Sequence, residues 1–444
     1  MKDLAIVICN YNKKDYVLEC IGSVLNSSFS GYDLIVVDNA STDGSAEAIQ
    51  EKYGSELTLL VNEENTGGAG GFNRGMQYTM VGGSYKYICL LDNDVVVDNP
   101  ALDELHRFME SNPNAGACGA LVCYYSNPEW SPEFGAVVDT QQFGVKLLHK
   151  QIHVKAAPEK VDCDFVPACA AIFRVDALRE SGIMNPDYFI AWDDIELGKM
   201  IRLAGYTVHM ISAAKVWHHF EYRLPSAYYA LRNKIYYFTK FMTDEEFEVF
   251  PEMLTKRLFR SIAVNRQSQV AVAAYMHGLN DGLNGIMGRA SEGKIMPFSP
   301  SIERLYGHVA TKKNILLIAD AGNNTLIQFL HALRDKNNDA AISIAASGLR
   351  LGDIENAVKV IEADDDYSTY DQVIKSCYHV LDEKNYDRSR IYVDNYFNVI
   401  MDEADFDYYE NLDSNYESFH GIFYAYIKSK LAALRKEFAV GTGK

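Results

Sequence analysis

The stretch "YKYICLLDND", residues 85–94, places two aspartates directly after an apolar run and decides the fold. The run is typical of a strand buried on both faces, as in a parallel sheet. Asp92 and Asp94 follow at a spacing of i and i+2, and alternate residues of a strand share one face. We therefore expect the two carboxylates to converge at the strand end, where they suit a hard divalent cation. The alternative is a simple turn, because Asp and Asn are common turn formers.

Three earlier apolar runs repeat this arrangement, each followed by polar residues and then by a segment of helical periodicity. They are "LAIVIC" (4–9), "LIVV" (34–37) and "LTLLV" (57–61). Buried strands that alternate with helices predict an α/β fold with a doubly wound, mostly parallel sheet. Ligands bind beyond the carboxyl ends of the strands in such sheets. We therefore expect Asn10, Asp38 and Asn39 to lie near Asp92 and Asp94 at one rim.

The pattern of strand-like and helix-like segments changes twice along the chain, which predicts three parts. Residues 1–222 form the α/β domain, and residues 223–311 form a mostly helical extension. Residues 312–444 return to alternating strands and helices, and we expect a small α/β module with an amphipathic tail helix.

Composition limits the classes of function. The 444 residues are 48% hydrophobic and carry a formal net charge of −18, which argues against nucleic acid as the main partner. An acidic protein that binds an anionic substrate needs a local cation. The eight cysteines form no C-x-x-C pair, as in a cytosolic protein with reduced thiols. No apolar run approaches the ~20 residues of a membrane span, so we expect a soluble or peripheral protein.

The glycine-rich stretch "NTGGAGGFNRG" (65–75) fits neither the dinucleotide-binding nor the P-loop spacing. A backbone without side chains just before a helix lets a phosphate or sugar approach closely. This interpretation makes Gly68, Asn73 and Arg74 candidate ligand-binding residues. The alternative is a turn that allows tight packing between a strand and a helix.

A third polar group lies in "YFIAWDDIELGKMIRLAGY" (188–206), where Asp193 and Asp194 open a predicted helix. The positive end of the helix dipole stabilises ionised carboxylates there, although an ordinary helix cap is the alternative. Trp192 on its own is typical of a packed core aromatic. His218 follows Trp217, and imidazole is a ligand for metals such as manganese.

Taken in order, these blocks resemble the family-two glycosyltransferases of the GT-A fold. The resemblance covers about residues 4–220 and includes "VICNYNK", "VVDNASTDGS", "LLDNDV" and "VWHH". The double acid after tryptophan and the "GGAGGFNRG" stretch are similar to bacterial galactofuranosyltransferases and rhamnosyltransferases of surface glycans. "YYALRNKIYY" and "HGLNDGLNGIMG" resemble the region that follows the catalytic domain in that group. The module after residue 311 departs from the pattern.

The resemblance implies a role for each matching residue. Asn10, Asp38, Asn39, Gly68, Asn73, Arg74 and Asp92 would bind a UDP- or dTDP-sugar donor. Asp92, Asp94 and His218 would hold Mn²⁺ or Mg²⁺. Asp194 would be the general base, and Trp192 and Asp193 would bind the acceptor. The implied reaction inverts the anomeric carbon of galactofuranose or rhamnose as the sugar moves to a glycan or lipid-linked hydroxyl.

Two other classes of protein remain as hypotheses. A sugar nucleotidyltransferase shares the sheet and the metal but needs no base such as Asp194, and it releases pyrophosphate. A non-catalytic assembly protein would bind the sugar nucleotide without turnover.

The C-terminal segment 417–444 has an apolar stripe at helical spacing, made of Phe419, Ile422, Phe423, Tyr426, Ile427, Leu431, Leu434 and Phe438. Five basic residues against two acidic ones give the segment a net charge of +3. Most such stripes belong to a core, so we expect this one to pack on the module's own sheet or on a second subunit, in a homo-oligomer. The alternative is that the basic amphipathic helix lies on an anionic membrane, with peripheral contact at the inner face of the cell membrane.

Overall fold

The structure is a computed structural model that describes most of the chain. The described residues are 2–82, 85–219, 227–265, 269–291, 294–295, 303–319, 330, 333–334, 337, 339–345, 359–361, 367–377, 380, 385–394, 398–412 and 416–441. Contacts between residues group the chain into two compact units. Unit 1 comprises Met1–Phe220, Arg232–Phe241 and Gly285–Ala290, and unit 2 comprises Glu221–Leu231, Met242–Asn284 and Ser291–Lys444. The predicted division at residues 222 and 311 stays a prediction.

Unit 1 contains eleven strands in its described residues. They are β1 (Leu4–Asn10), β2 (Tyr32–Asp38), β3 (Thr58–Val61), β4 (Tyr87–Asp92), β5 (Val95–Val97), β6 (Ala115–Tyr124), β7 (Trp130–Asp139), β8 (Gly144–His153), β9 (Lys160–Asp162), β10 (Ala170–Arg174) and β11 (Thr207–His218). Its helices are α1 (Lys14–Leu25), α2 (Ser45–Tyr53), α3 (Gly67–Gly82), α4 (Ala101–Ser111), α5 (Val175–Ser181), α6 (Asp193–Leu203) and the carboxyl-terminal part of α7 (Ala227–Phe241).

The main sheet has nine strands in the order β3-β2-β1-β4-β10-β6-β11-β5, with β9 paired to β11. Six strands run in one direction, while β5, β9 and β10 run against them. All seven residues of β1 are buried, as expected for a strand covered on both faces. The predicted α/β fold with a mostly parallel sheet is confirmed.

The glycine-rich stretch forms the first turns of α3, which begins at Gly67. A Cβ atom at Gly71 would lie 2.2 Å from the Sγ of Cys9, and one at Gly75 would lie 2.2 Å from a methyl group of Val7. Both contacts are impossible, so glycine at these positions lets α3 pack directly on β1. The expectation of a loop before a helix was therefore wrong for most of this stretch, and the packing alternative explains Gly71 and Gly75.

Unit 2 contains a second sheet of six strands in the order β14-β13-β12-β15-β16-β17. The strands are β12 (Asn314–Ala319), β13 (Ala341–Ala345), β14 (Lys359–Ile361), β15 (Gln372–Cys377), β16 (Ile391–Asp394) and β17 (Val399–Ile400). Only β17 is antiparallel to its neighbour. The helices that lie wholly in this unit are α8 (Asp244–Val264), α9 (Gln269–Leu283), α10 (Glu303–Val309), α11 (Glu403–Glu410) and α12 (Tyr416–Gly441).

The apolar stripe of α12 packs inside unit 2, against α8 and α9. Ile427, Leu431 and Leu434 are buried, whereas Ile422 and Tyr426 are exposed. At the carboxyl-terminal half of α12, Arg435 donates to a carboxylate oxygen of Asp244 at 2.7 Å. Part of the stripe therefore belongs to the core of unit 2, while Ile422 and Tyr426 lie on the surface. In the part of the chain that the structure describes, no helix combines the length and apolarity needed to cross a bilayer.

Candidate active site

Three potential metal ligands meet at the carboxyl end of β4. Asp92 is the last residue of β4, and Asp94 directly precedes β5. β5 pairs with β11 so that Val95 lies opposite His218, which brings the imidazole to the two aspartates. The Nε2 atom of His218 lies 3.2 Å from Asp94 Oδ1 and 3.8 Å from Asp92 Oδ2. One ligand atom from each of the three residues lies within 4.8 Å of the others.

The two aspartates converge through a turn, and not through their spacing along one strand. β4 ends at Asp92, and Asn93 and Asp94 form the turn that leads into β5. The amide of Asn93 donates to Asn10 Oδ1 at 2.8 Å, which ties this turn to the end of β1. The turn and the convergence of carboxylates were alternatives from the sequence, and the structure contains both.

The cluster is stabilised by opposite charges. Lys13, which directly precedes α1, places its Nζ atom 2.5 Å from Asp94 Oδ2. Burial would raise the pKa of Asp94, but His218 and Lys13 outweigh it and lower this pKa to about 2. Burial would likewise lower the pKa of His218, but hydrogen bonds to Asp92 and Asp94 raise it to about 9. Asp94 is therefore an ionised carboxylate at neutral pH.

Asp193 and Asp194 are neighbours in the first turn of α6, where Asp193 is buried and Asp194 is half-buried. Burial, followed by repulsion from Asp193, raises the pKa of Asp194 well above its ordinary value. Burial also raises the pKa of Asp193, to about 6. A carboxylate whose pKa is raised toward neutrality is a stronger base than an exposed one and suits proton abstraction.

The segment before α6 has an unusual backbone. Phe189, Ala191 and Trp192 have φ angles of 65°, 67° and 70°, a region that residues with side chains rarely adopt. Such a conformation persists only when its surroundings stabilise it. Trp192 packs against the rings of Tyr237 and Phe238, with ring centres 5.2 and 5.5 Å apart. The core-aromatic alternative therefore describes the position of Trp192.

Two buried residues of α7 bind the carbonyl groups of this segment. The amide nitrogen of Asn233 donates to the carbonyl oxygens of Tyr188, Ile190 and Ala191 at 2.8–3.0 Å. Arg232 donates to the same Tyr188 oxygen at 2.9 Å and to Asn233 Oδ1 at 2.8 Å. Both side chains are fully buried. We call this pair the α7 clamp. These roles are not readable from the motif "YYALRNKIYY", because the contacts join positions about forty residues apart.

A cavity of about 440 Å³ connects the potential metal ligands Asp92 and His218 with Asp193 and Asp194, which we call the acid pair. Its lining residues are Gly68, Phe72, Asp92, Val122, Pro132, Glu133, Pro167, Ala168, Cys169, Ile190, Ala191, Asp193, Asp194, Met210 and His218. Glu133 on β7 was missed by the sequence analysis because it lies in a hairpin without a recognisable motif. Burial raises the pKa of Glu133. The cavity therefore brings together five of the predicted site residues, namely Gly68, Asp92, Asp193, Asp194 and His218.

The predicted donor-binding residues at the ends of β1 and β2 form a buried network. Asn10 donates to Asp38 Oδ2 at 2.9 Å, and Asp38 Oδ1 accepts the backbone N–H of Ser41. Asn39 donates to the carbonyl oxygen of Gly67 at 2.8 Å and accepts from Asn62 at 2.7 Å. These bonds tie the end of β2 to the loop that precedes α3.

The three candidates from the glycine-rich stretch are placed differently. Gly68 lines the cavity, and a Cβ atom there would meet nothing within 4 Å. Asn73 donates to the carbonyl oxygen of Met184 at 2.7 Å, and Arg74 donates to that of Val61 at 2.8 Å. These two side chains are not among the lining residues of the cavity. Both residues lie inside α3, because the helix begins at Gly67.

The chemistry of the cluster fits a divalent ion. Two carboxylates and one imidazole form a mixed oxygen and nitrogen donor set, which suits Mn²⁺ and leaves positions for substrate oxygens. The fold and this site together define a class, the α/β enzymes that act on an anionic ligand bound at the carboxyl ends of the strands.

Comparison with known proteins identifies the family of this region. Residues 5–182 match the family model described as glycosyl transferase family 2, so this segment is a family 2 glycosyltransferase domain, as predicted. An uncharacterised glycosyltransferase of Haemophilus influenzae is 22% identical over 229 residues, 49% of this chain and 68% of that protein. The poly-beta-1,6-N-acetyl-D-glucosamine synthase of Staphylococcus epidermidis is 28% identical over 227 residues, which cover 49% of this chain and half of the synthase. The crystal structure of GalNAc-T7 with UDP, GalNAc and Mn²⁺ aligns with 60% of this chain and 51% of that one, at 15% identity and a TM-score of 0.46.

Proposed function

We propose that the chain is an inverting, metal-dependent glycosyltransferase. It moves a sugar from a UDP or dTDP donor to a hydroxyl group of a glycan or lipid-linked acceptor. Galactofuranose and rhamnose are the favoured sugars, on the resemblance of the double-acid and glycine-rich motifs. The observation that carries the proposal is the single cavity that Asp92 and His218 share with Asp193 and Asp194. This transfer requires a site for a divalent metal ion and a carboxylate base within one cavity.

The predicted residues in and beside the cavity have the following proposed roles. Asp92, Asp94 and His218 hold Mn²⁺ or Mg²⁺, which supplies positive charge to the diphosphate leaving group when bound. Asp194 takes the proton of the acceptor hydroxyl, and its raised pKa favours this task. Asp193, on the same wall, holds the acceptor sugar.

The remaining predicted residues receive roles that agree with their contacts. Asp38 and Asn10 form the floor beneath the nucleoside, and Gly68 allows the donor to approach the backbone closely. Asn39, Asn73, Arg74 and Trp192 act indirectly, because their side chains bind or pack against other parts of unit 1.

We propose a cytoplasmic location for the enzyme, with peripheral contact at the inner face of the cell membrane when the acceptor is lipid-linked. All eight cysteines are unpaired thiols, which agrees with a reducing compartment. A lipid-linked acceptor supplies the membrane contact without requiring the stripe of α12 to leave its core.

The test is a panel of sugar nucleotides that includes UDP-galactofuranose and dTDP-rhamnose, each with Mn²⁺ or with EDTA. We expect release of the nucleoside diphosphate with Mn²⁺ and none with EDTA. Release of pyrophosphate from a nucleoside triphosphate would instead identify a nucleotidyltransferase. Binding of a donor without hydrolysis or transfer, across the panel and with glycan acceptors present, would identify a binding protein. Equal turnover in EDTA would contradict the metal role.

A further inference from the structure

Lys13 occupies a position that the resemblance did not assign. Its Nζ atom lies 2.5 Å from Asp94 Oδ2, and the two side chains are only 12% and 11% exposed. The same ammonium group lies 5.2 Å from the ring centre of Tyr16, one turn along α1. A largely buried ion pair therefore engages one of the two carboxylates that the proposed metal site uses.

The contacts of Asp94 place two cations in competition. Its Oδ1 atom faces His218, and its Oδ2 atom faces Lys13. A divalent ion held by Asp92, Asp94 and His218 would share Asp94 with the ammonium group, and the two positive charges would repel each other across a largely buried space. Binding of the ion must therefore weaken or displace the pair between Lys13 and Asp94.

A displaced lysine has a suitable new partner in the proposed reaction. The diphosphate of a sugar nucleotide brings at least two negative charges to the metal. Lysine is a common phosphate-binding residue, and its four-carbon chain allows the ammonium group to move several ångströms. A diphosphate bound to an ion that Asp94 holds would bring its oxygen atoms to the neighbourhood of Asp94, where the ammonium group could pair with them.

We propose that Lys13 is an exchangeable counter-ion that couples the metal to the donor. It pairs with Asp94 and opposes the divalent ion until a nucleoside diphosphate arrives, and it then pairs with the diphosphate and stabilises the ternary complex. Metal and donor therefore bind cooperatively, and the coupling is reciprocal. This inference rests on the proposed metal-dependent function.

The test measures Mn²⁺ binding to the full chain by electron paramagnetic resonance of free Mn²⁺, at one pH, with and without UDP or dTDP. Lys13→Gln removes the ammonium group and keeps a polar side chain. Without nucleotide, we expect this variant to bind Mn²⁺ at least about fivefold more tightly than the unmodified chain, the lower limit typical of coupled sites. With nucleotide, the order reverses, and the variant binds Mn²⁺ at least about fivefold more weakly.

Lys14→Gln is the matched control, because it removes the same charge from the next residue, whose side chain is exposed. We expect it to change neither affinity by more than about twofold, as for a screened surface charge. If Lys13→Gln leaves Mn²⁺ binding unchanged or weaker without nucleotide, Lys13 does not compete with the metal and the inference is wrong. If Lys13→Gln does not bind Mn²⁺ more weakly than the unmodified chain when nucleotide is present, Lys13 does not move to the diphosphate and that part of the inference is wrong. An unmodified chain that binds no Mn²⁺ under either condition would overturn the metal role in the proposed function itself.

Discussion

Individual side chains in and beside the cavity derive their chemistry from burial and from charged neighbours. Asp94 and Asp194 are the same residue type about a hundred positions apart in the sequence, yet their pKa values move in opposite directions. Two cations, Lys13 and His218, keep Asp94 ionised. Asp194 has a second acid beside it and little solvent, so its pKa rises. One carboxylate therefore suits a metal and the other suits a proton.

Asp194→Asn preserves the shape of the side chain and removes its ability to accept a proton. General-base catalysis typically contributes ~10²–10⁴-fold, so we expect the transfer rate to fall by about that factor. Donor affinity, measured by titration with Mn²⁺ present, stays close to that of the unmodified chain. If Asp193→Asn abolishes transfer and Asp194→Asn does not, the two roles are exchanged.

The raised pKa values of the acid pair predict the pH dependence of transfer. A base acts only when it is deprotonated, so kcat/KM falls as the pH drops through the pKa of the pair. Because burial raises these pKa values, we expect the decline well above pH 4, where an exposed aspartate titrates. The measurement is kcat/KM from pH 4.5 to 8.5 at saturating Mn²⁺. A rate that stays constant down to pH 4.5 would contradict a base with a raised pKa.

Secondary-structure elements position these side chains through contacts between distant segments. α3 approaches β1 closely because Gly71 and Gly75 have no side chains. The backbone N–H of Ala69 in α3 donates to the carbonyl oxygen of Phe189 at 3.1 Å. The strained segment before α6 is therefore bound by α3 and by the α7 clamp.

Asn233→Ala should disturb this segment more than the metal cluster. The carbonyl oxygens of Ile190 and Ala191 lose the Asn233 amide, whereas that of Tyr188 keeps Arg232. Each buried group left unpaired costs about 1–3 kcal/mol. We expect a clear drop in the melting temperature and a loss of transfer, with Mn²⁺ affinity changed by less than about threefold. Asn112→Ala is the control, because that amide bonds only the carbonyl oxygen of Phe108 at 2.8 Å. If Asn233→Ala reduces Mn²⁺ binding as strongly as it reduces transfer, the variant has lost the general fold of unit 1. That result would contradict a local role for the clamp.

Substitutions in α12 test whether this helix serves in the core of unit 2 or as a membrane anchor. Leu431 is fully buried, so Leu431→Ala should lower the free energy of unfolding by about 2–5 kcal/mol. Ile422 is 71% exposed on the same helix, and Ile422→Ala should change it by less than about 0.5 kcal/mol. Chemical denaturation of the full chain measures both values. If only Ile422→Ala reduces co-sedimentation with anionic vesicles, then the exposed side of α12 contacts the membrane.

At the scale of the whole molecule, the charge balance determines how an anionic donor can bind. The chain carries a formal net charge of −18, and four carboxylates, Asp92, Glu133, Asp193 and Asp194, line the cavity. A diphosphate entering this field is repelled unless a cation compensates for its charge. The proposed divalent ion supplies that compensation.

Removal of divalent ions should therefore lower the affinity for ligands that contain phosphate, and leave the affinity for other ligands unchanged. We expect EDTA to lower the affinity for UDP at least about tenfold, an estimate based on the several kcal/mol that a bound metal contributes to charged ligands. Uridine has the same base and ribose without the phosphates, and its weaker binding should not depend on EDTA. Calorimetric titrations of both ligands with Mn²⁺ and with EDTA make the comparison. If EDTA weakens uridine and UDP equally, the ion supports the fold of the site and does not bind the diphosphate.

The amino-acid sequence by itself determined the alternation of strands and helices, the polar strand ends and the family of residues 5–182. These features depend on local periodicity and on short motifs, which persist in any chain with this pattern. The tertiary structure decided which candidates share the cavity. It placed Glu133 in the wall, turned Asn73 and Arg74 toward other contacts, paired Lys13 with Asp94 and connected Asn233 to the segment before α6. The physical reason is that each of these outcomes depends on contacts between residues far apart in the chain, where sheet register and helix packing set the distances.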